Sequence, residues 1–483
     1  MNRKDIVPRR TTLASLVMVV MLAGCAVGPD YKRPALDLPS QFPESPPAEG
    51  SSAEESVVAP QWWTLYGDAT LNELVSSALK NNADIRKALA QIDEAEAILS
   101  ETGSASFPEI DLGASGTRSR SSTLSAQPLP PGSPVISRTN RITLSTAFEL
   151  DFWGKLRRAS QAARADVLAS RYAGDVTALT LAGTTTQAYF TLRALDAQVA
   201  VTRETLATRD ETLTIVRRRA VSGLASELEV SQTESARADA AVQLRNLERQ
   251  RALVEHQLGT LTGNLDLKVA AGDLMNLPVP VLPPPGLPSS LLERRPDVQQ
   301  AEQTLVSANA RIGVAKASLF PTFSLTGNYG GQSEKLSDIF KNGARIWSYG
   351  PAVSFPIFDA GKYSARTNEA EARQRQSQAN YQKTVETAFR EVADALTNVQ
   401  QTTASVADVQ TRLDAAHHAL RLARLRYEAG YVGYLDVLDA MRTAYAAELA
   451  FVQYRQSQLS YSVDLLKALG GGWSPSDIAP AKP

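Results

Sequence analysis

Residues 105–116 read ASFPEIDLGASG, and residues 317–330 read ASLFPTFSLTGNYG. The second stretch is the first moved along the chain by 213 positions (320 − 107, taking Phe107 against Phe320). Upstream, NNADIRKA from Asn81 returns at the same offset as RRPDVQQA from Arg294. Downstream, FELDFWGKLRRA around Gly154 returns as FPIFDAGKYSAR around Gly361, an offset of 207 (361 − 154). RRRAVSGLASELEV around Gly223 returns as LRYEAGYVGYLDV around Gly430 at the same 207. The chain is one unit written twice, and the change of offset places a shorter loop inside the second copy.

Within each copy the hydrophobic period changes along the chain. Ile142, Leu144, Phe148, Leu150 and Phe152 alternate with Thr143, Ser145, Glu149 and Asp151, and Trp347, Tyr349, Val353, Phe355 and Ile357 do the same in the second copy. Alternation over about ten residues predicts a strand with one apolar and one polar face. Ile110-Leu112-Ala114 and Phe323-Leu325-Tyr329 supply the partner strands, so each copy offers a hairpin and the chain offers four strands. About eight strands are needed to close a barrel, so closure requires copies of the chain, and a trimer with twelve is the simplest even solution.

After each hairpin the period becomes helical. Between Pro134 and Pro278, and between Pro356 and Pro475, there is no proline to interrupt a helix. Phe389, Val392, Leu396, Val399, Val406, Leu413, Leu420 and Tyr427 keep a 3-4 spacing, with Thr403, Gln410, His417 and Arg424 at the intermediate positions. Leu435, Leu438, Tyr445, Leu449, Val452, Leu459, Val463 and Leu466 continue it on the returning segment, and Leu244, Leu247, Val254, Leu258 and Leu261 hold that register in the first copy. This is a coiled-coil seam rather than a broad globular face. A helix from about Lys155 to Val221 is about 100 Å long at 1.5 Å per residue. Polar residues in and beside the seams favour helices wetted on both sides of a hollow cylinder over a bundle with a filled core.

Composition narrows the function. With 50 Lys and Arg against 51 Asp and Glu in 483 residues, no basic excess argues for nucleic acid. The start is an address: Arg3, Lys4, Arg9 and Arg10 precede the apolar run Leu13–Leu22, too short to span a bilayer. Cys25 is the only cysteine, which excludes disulfides within the chain and a cysteine metal centre. The three histidines, His256, His417 and His418, form no ligand or triad pattern. No glycine-rich phosphate loop is present. Neither a catalytic nor a metal site is expected, and no cofactor beyond a lipid.

CAVGPDYKRP from Cys25, QWWTLYGDATLNELVSSAL from Gln61, LLERRPDVQQAEQTL from Leu291 and ANARIGVAKASLFPTFSL from Ala308 resemble, in this order, the TolC-like outer-membrane efflux channels, in their lipoprotein branch of OprM and NodT type. The junction Leu22-Ala23-Gly24-Cys25 resembles a lipobox, which implies lipidation of Cys25, and Ala26 favours the outer membrane. The resemblance implies an α+β membrane protein: a homotrimer with four transmembrane β-strands per chain, a twelve-stranded barrel, and a periplasmic α-barrel of long helices. It implies a passive exit duct for small molecules, with a periplasmic adaptor, an inner-membrane pump and outer-membrane lipid as partners. Protein secretion, or a structural coiled-coil envelope lipoprotein, are the competing readings.

The expected organisation is a signal peptide over 1–24, a lipidated segment and equatorial region over 25–66, and a first repeat over 67–263. That repeat holds a hairpin at about 107–153 and long helices at about 155–262. A linker at 264–289 joins the equatorial region. The second repeat spans 290–470, with a hairpin at about 320–358 and helices at about 361–469, before a tail at 471–483. An equatorial belt would draw on Asp30–Tyr66, the linker and the tail.

The gate is expected at the helix turns holding Gly223, Gly430 and Gly433, which also offer an adaptor contact. Asp436 and Asp439, three apart on a helix beside a Leu435/Leu438 seam, would form carboxylate rings in a threefold assembly. Acids in a first helical turn also have a plain electrostatic reason to be there, as do Arg217, Arg218, Arg219, Arg424 and Arg426 near helix ends. By resemblance Glu229 ties the tip helices together and Tyr427 belongs to the closed-state network. Val432 stands where TolC itself has a network arginine, so the closed-state bonds must differ in part.

Overall fold

The computed structural model describes residues 26–37, 39, 42, 58–124, 130, 132–282 and 291–473. The signal peptide and Cys25 lie outside these residues, as do most of the tail and parts of the expected belt. The elements are α1 (Ala69–Asn81), α2 (Ala83–Ser104), β1 (Glu109–Arg120), β2 (Ile136–Leu150), α3 (Lys155–Val221) and α4 (Glu227–Thr262) in the first copy. In the second copy follow α5 (Pro296–Ala317), β3 (Thr322–Ser333), β4 (Arg345–Ser354), α6 (Lys362–Glu428) and α7 (Tyr434–Ala468). The duplication holds to the residue. Both ends of α2 and β1 recur in α5 and β3 displaced by 213 (296 − 83), and both ends of α3 recur in α6 displaced by 207 (362 − 155).

Two compact units emerge. One comprises residues up to Ala35, Ile92–Ser170 and Ala301–Tyr381; the other comprises Leu36–Gln91, Arg171–Gln300 and residues from Gln382 onward.

The first unit holds a four-stranded antiparallel sheet in the order β1-β2-β3-β4. Register carries one row of residues across it: Leu112 faces Leu144, Leu144 faces Tyr329, and Tyr329 faces Trp347. Leu150, Phe323 and Val353 form a parallel row on the same face. The opposite face carries Asp111, Ser145, Asn328 and Ser348 in one row. The strands stop short of the predicted hairpin ends, leaving Phe152, Phe355 and Ile357 outside them. Asp151 and Asp359 explain why: each turns the chain into its long helix by accepting backbone N–H groups, from Arg157 at 3.0 Å and from Gly361 and Tyr363 at 2.9 Å each.

The segment after Cys25 is sutured onto this unit. Arg33 donates to both oxygens of buried Glu302 (2.8 and 2.7 Å), and the Tyr31 hydroxyl adds a third bond at 3.0 Å. Asn309 donates to the Pro29 carbonyl at 2.9 Å, and Arg158 pairs with Asp30 at 2.7 Å. Gly28 and Gly313 approach backbone to backbone: a Cβ at Gly28 would sit 2.5 Å from the Gly313 Cα. This strap includes Asp30, so the expected belt divides, its first residues bonding here while Trp62–Tyr66 bond within the other unit.

The second unit has its core around Trp62, Tyr66, Tyr189, Phe190, Leu274, Leu459 and Leu465, all 2% exposed or less. Buried aromatic hydroxyls need partners. Tyr66 shares a 2.7 Å hydrogen bond with Ser462, and Tyr189 donates to Asp68 at 2.6 Å. The other oxygen of Asp68 caps α1 through the Leu71 N–H, so one carboxylate joins a helix start to the core. Beside this core, Asp196 and Glu255 hold the inter-repeat linker onto α3 and α4. Arg251 bonds Asp196 at 2.7 Å and Glu255 at 3.3 Å, Lys268 bonds Glu255 at 3.1 Å, and the Val269 and Gly272 N–H groups complete both carboxylates. Gly470, Gly471 and Gly472 all have positive φ (97°, 60° and 75°). They bend the chain so that Trp473 donates to Asp175 at 3.0 Å.

Candidate functional site

The α3–α4 and α6–α7 turns are built alike. Gly223 (φ 72°) closes α3: its N–H reaches the Ala220 carbonyl, and the Leu224 N–H reaches Arg219. Gly430 (φ 77°) closes α6 by the same pair of bonds, to Tyr427 and from Tyr431 to Arg426. Both are Schellman stops, which glycine adopts without a Cβ penalty.

The copies diverge at the next helix start. Ser226 caps α4, and Glu229 returns the bond: the Glu229 N–H donates to the Ser226 hydroxyl at 3.2 Å, and the Ser226 N–H donates to the Glu229 carboxylate at 3.1 Å. Glu229 is thereby bonded within its own helix start, and its charge also acts on Tyr427 of α6. In the second copy Gly433 stands at the position of Ser226 and Asp436 at that of Glu229, and Gly433 makes no side-chain cap. Asp436 and Asp439 are exposed, and neither carboxylate has a hydrogen bond or ion pair among the described residues.

Asp436 and Asp439 frame a packed core. Tyr434, Val437, Leu438, Met441 and Ala236 are buried together, with Leu420, Ala423 and Tyr427 against them. The expected Leu435/Leu438 seam is therefore corrected. Leu435 is 62% exposed, and the burial stripe runs through Tyr434, Val437, Leu438 and Met441. The filling positions shift likewise: Thr403, Gln410 and Arg424 are exposed, while Thr402 and Ala416 are buried.

Tyr427 stacks edge-on against Tyr434, with ring centroids 5.7 Å apart, and the Arg219 guanidinium lies 5.0 Å over its ring. Burial pushes the Tyr427 hydroxyl above its ordinary pKa. Arg217 pairs with Glu234 and Arg237 with Asp210 (2.7 Å), stapling α3 to α4. His417 and Glu448, 2.6 Å apart, staple α6 to α7. Arg219 and Arg217 thus have partners beyond the helix dipole.

Buried Arg209 links the helix pairs. It donates to the Ala236 carbonyl of α4 and faces the Tyr445 ring of α7 at 6.0 Å, while Thr202 of α3 shares a 2.8 Å hydrogen bond with Tyr445. Burial lowers the Arg209 pKa, without bringing an arginine near neutrality. Sequence reasoning missed Arg209 and placed Tyr445 only as a seam residue, because nothing local ties either to this joint. A groove of about 250 Å³ runs beside this joint, bordered by Glu204, Thr208, His417, Arg421, Arg424 and Glu448.

An open sheet with one apolar and one polar face, long hairpinned helices and two glycine-stopped tips now stand together. The sequence model described as outer membrane efflux protein matches residues 74–264 and 287–471. The chain belongs to this family. It is 34% identical to a probable efflux pump outer membrane protein, TtgC, of Pseudomonas putida, with 96% of each chain covered. It is 33% identical to the cation efflux system protein CusC of Escherichia coli O6:H1, over 95% of this chain and 98% of that one. Its fold matches the outer-membrane channel OprN with a TM-score of 0.84 and 29% identity, over 93% of this chain and all of that one. As an outer membrane efflux protein, the chain is a channel component of tripartite efflux systems, located in the outer membrane. No helix among the described residues is long and apolar enough to cross a membrane.

Proposed function

We propose that three copies close their sheets into one twelve-stranded barrel and their long helices into a periplasmic tube, forming a passive duct gated at the helix tips. One observation carries this reading. The four-strand sheet is apolar on one face and polar on the other, and β1 and β4 each leave an edge without a partner strand among the described residues. In hydrocarbon an open edge strands backbone donors and acceptors, so the edges must meet other copies. An inner-membrane pump supplies the energy and a periplasmic adaptor docks near Gly223, Gly430 and Gly433. The cargo is small molecules or ions rather than protein, cations being what the name of CusC prints.

Asp436 and Asp439, free of the capping bond that holds Glu229, become rings of carboxylate at the tip. Tyr427 packs the closed state, and Glu229 fixes the start of α4 beside it. Cys25 carries a covalent lipid. The lipobox-like junction Leu22-Ala23-Gly24-Cys25 supports this reading.

The gate is tested by loosening the joint. Arg209→Ala with Tyr445→Phe removes contacts worth about 1–3 kcal/mol each when buried. In planar bilayers the open population should rise on the order of tenfold or more. Unchanged conductance in a correctly assembled channel would place the gate elsewhere.

A further inference from the structure

We propose that the end of the sheet farthest from the helices binds the phosphate groups of outer-leaflet lipid through Arg118, Arg120, Arg138 and Arg345. The inference rests on the barrel reading, which turns the apolar face toward lipid.

Strand parity places the four arginines. Ile110, Leu112 and Ala114 lie on the apolar face of β1, and Arg118 and Arg120 continue the same alternation. Arg138 shares the face of Ile142 and Leu144 on β2, and Arg345 shares that of Trp347 and Tyr349 on β4. Register brings them to one end. Arg118 lies directly opposite Arg138, Arg120 opposite Ile136, and Arg345 opposite Gly331, which is in turn across from Ile142. The row Leu112–Leu144–Tyr329–Trp347 comes first, and Arg345 follows Trp347 by two residues, about 7 Å of strand. An aromatic row succeeded by cations is the order expected where hydrocarbon gives way to headgroups.

Nothing described in the protein neutralises this patch. All four arginines are exposed, and none has an acidic partner among the described residues. Arg345 reaches only the Asn342 amide oxygen, at 3.5 Å. From Leu112 to Phe148 the sequence contains no Asp or Glu, although it contains Arg118, Arg120, Arg138 and Arg141. Arg141 points to the other face, where it donates to Gln332 at 2.6 Å. Of the acids of the second hairpin, Asp338 pairs with Lys341 at 2.8 Å, and Glu334 makes no ion pair among the described residues. Two arginines directly opposed across strands destabilise a sheet unless an anion lies between them. Phosphate oxygens match the guanidinium fork, and a lipid headgroup delivers them at this height without leaving the membrane.

The test uses the full-length trimer in detergent, as wild type and as Arg118→Gln/Arg120→Gln/Arg138→Gln. The probes are a glucosamine-based lipid bearing two phosphates and the same lipid stripped of them, with binding read by native mass spectrometry. Wild type should hold the phosphorylated lipid, the stripped lipid should bind weakly to both proteins, and affinity should fall about fivefold for each arginine removed. Equal retention by the variant, equal retention of the stripped lipid, or displacement by inorganic phosphate would each overturn the proposal. Arg345→Gln, read in the same way, decides the matter if the triple variant does not assemble. Failure of the wild type itself to form trimers would overturn the barrel reading instead, and this inference with it.

Discussion

Asp436 and Glu229 occupy equivalent places in the two copies, and one neighbour separates their fates. Ser226 draws Glu229 into a reciprocal cap, while Gly433 has no side-chain oxygen to offer and leaves the Asp436 carboxylate exposed. In the threefold channel proposed above, Asp436 would be a pore acid where Glu229 is a structural one. Asp436→Ala with Asp439→Ala should therefore lower cation over anion selectivity and weaken block by multivalent cations, measured as reversal potential and conductance in bilayers. Selectivity equal to wild type in both assays would remove the pore role. The acids and the glycine stops were legible in the sequence because both depend on local chemistry. The bonding of Glu229 was less so. An acid at the third position of a helix serves a cap as well as a cross-helix tie, and only the Ser226 geometry decides between them.

At the scale of elements, helix and strand identities follow from period and proline spacing, while fine register does not. Leu435 and Leu438 fit the leucine spacing of α7, yet Leu435 is exposed and Tyr434, Val437 and Met441 carry the packing. Two adjacent stripes satisfied the same spacing, and buried alanines such as Ala444 and Ala447 are silent in a pattern of large side chains. The linker clamp was equally hidden, because Asp196 meets an arginine 55 residues away and a glycine N–H 76 residues away. Burial alone would raise the Glu255 pKa, but the Val269 N–H, Lys268 and Arg251 outweigh it and hold the carboxyl below its ordinary range. Its contribution to stability is therefore present above the unfolded carboxyl pKa of about 4.3 and is lost as pH falls through the lower folded value. Glu255→Gln should destabilise the protein by about 3 kcal/mol at neutral pH, since it leaves cations without their charge partner. In thermal unfolding the gap between the variant and wild type should narrow as pH falls below about 4. A gap that does not change with pH would show that the clamp does not act through charge.

For the whole molecule, the duplicated sheet determines what the chain can be. A single chain has strands enough for a third of the proposed barrel, and its two edges are its strongest demand for partners. The lipid proposed for Cys25 would then be a tether added to a barrel that spans the membrane without it. A Cys25→Ala protein exported by another signal should still form membrane-inserted trimers, seen as heat-dissociable oligomers in membrane fractions. Their complete absence would make the lipid essential for assembly. The central claim is that β1 of one copy pairs with β4 of the next until three copies close. Single cysteines placed along β1 and along β4 of the same chain, oxidised in native membranes, test it most directly. The account predicts register-dependent cross-links whose ladder on a denaturing gel ends at three chains. A ladder that runs past three, or no β1–β4 cross-link at any register, would contradict it.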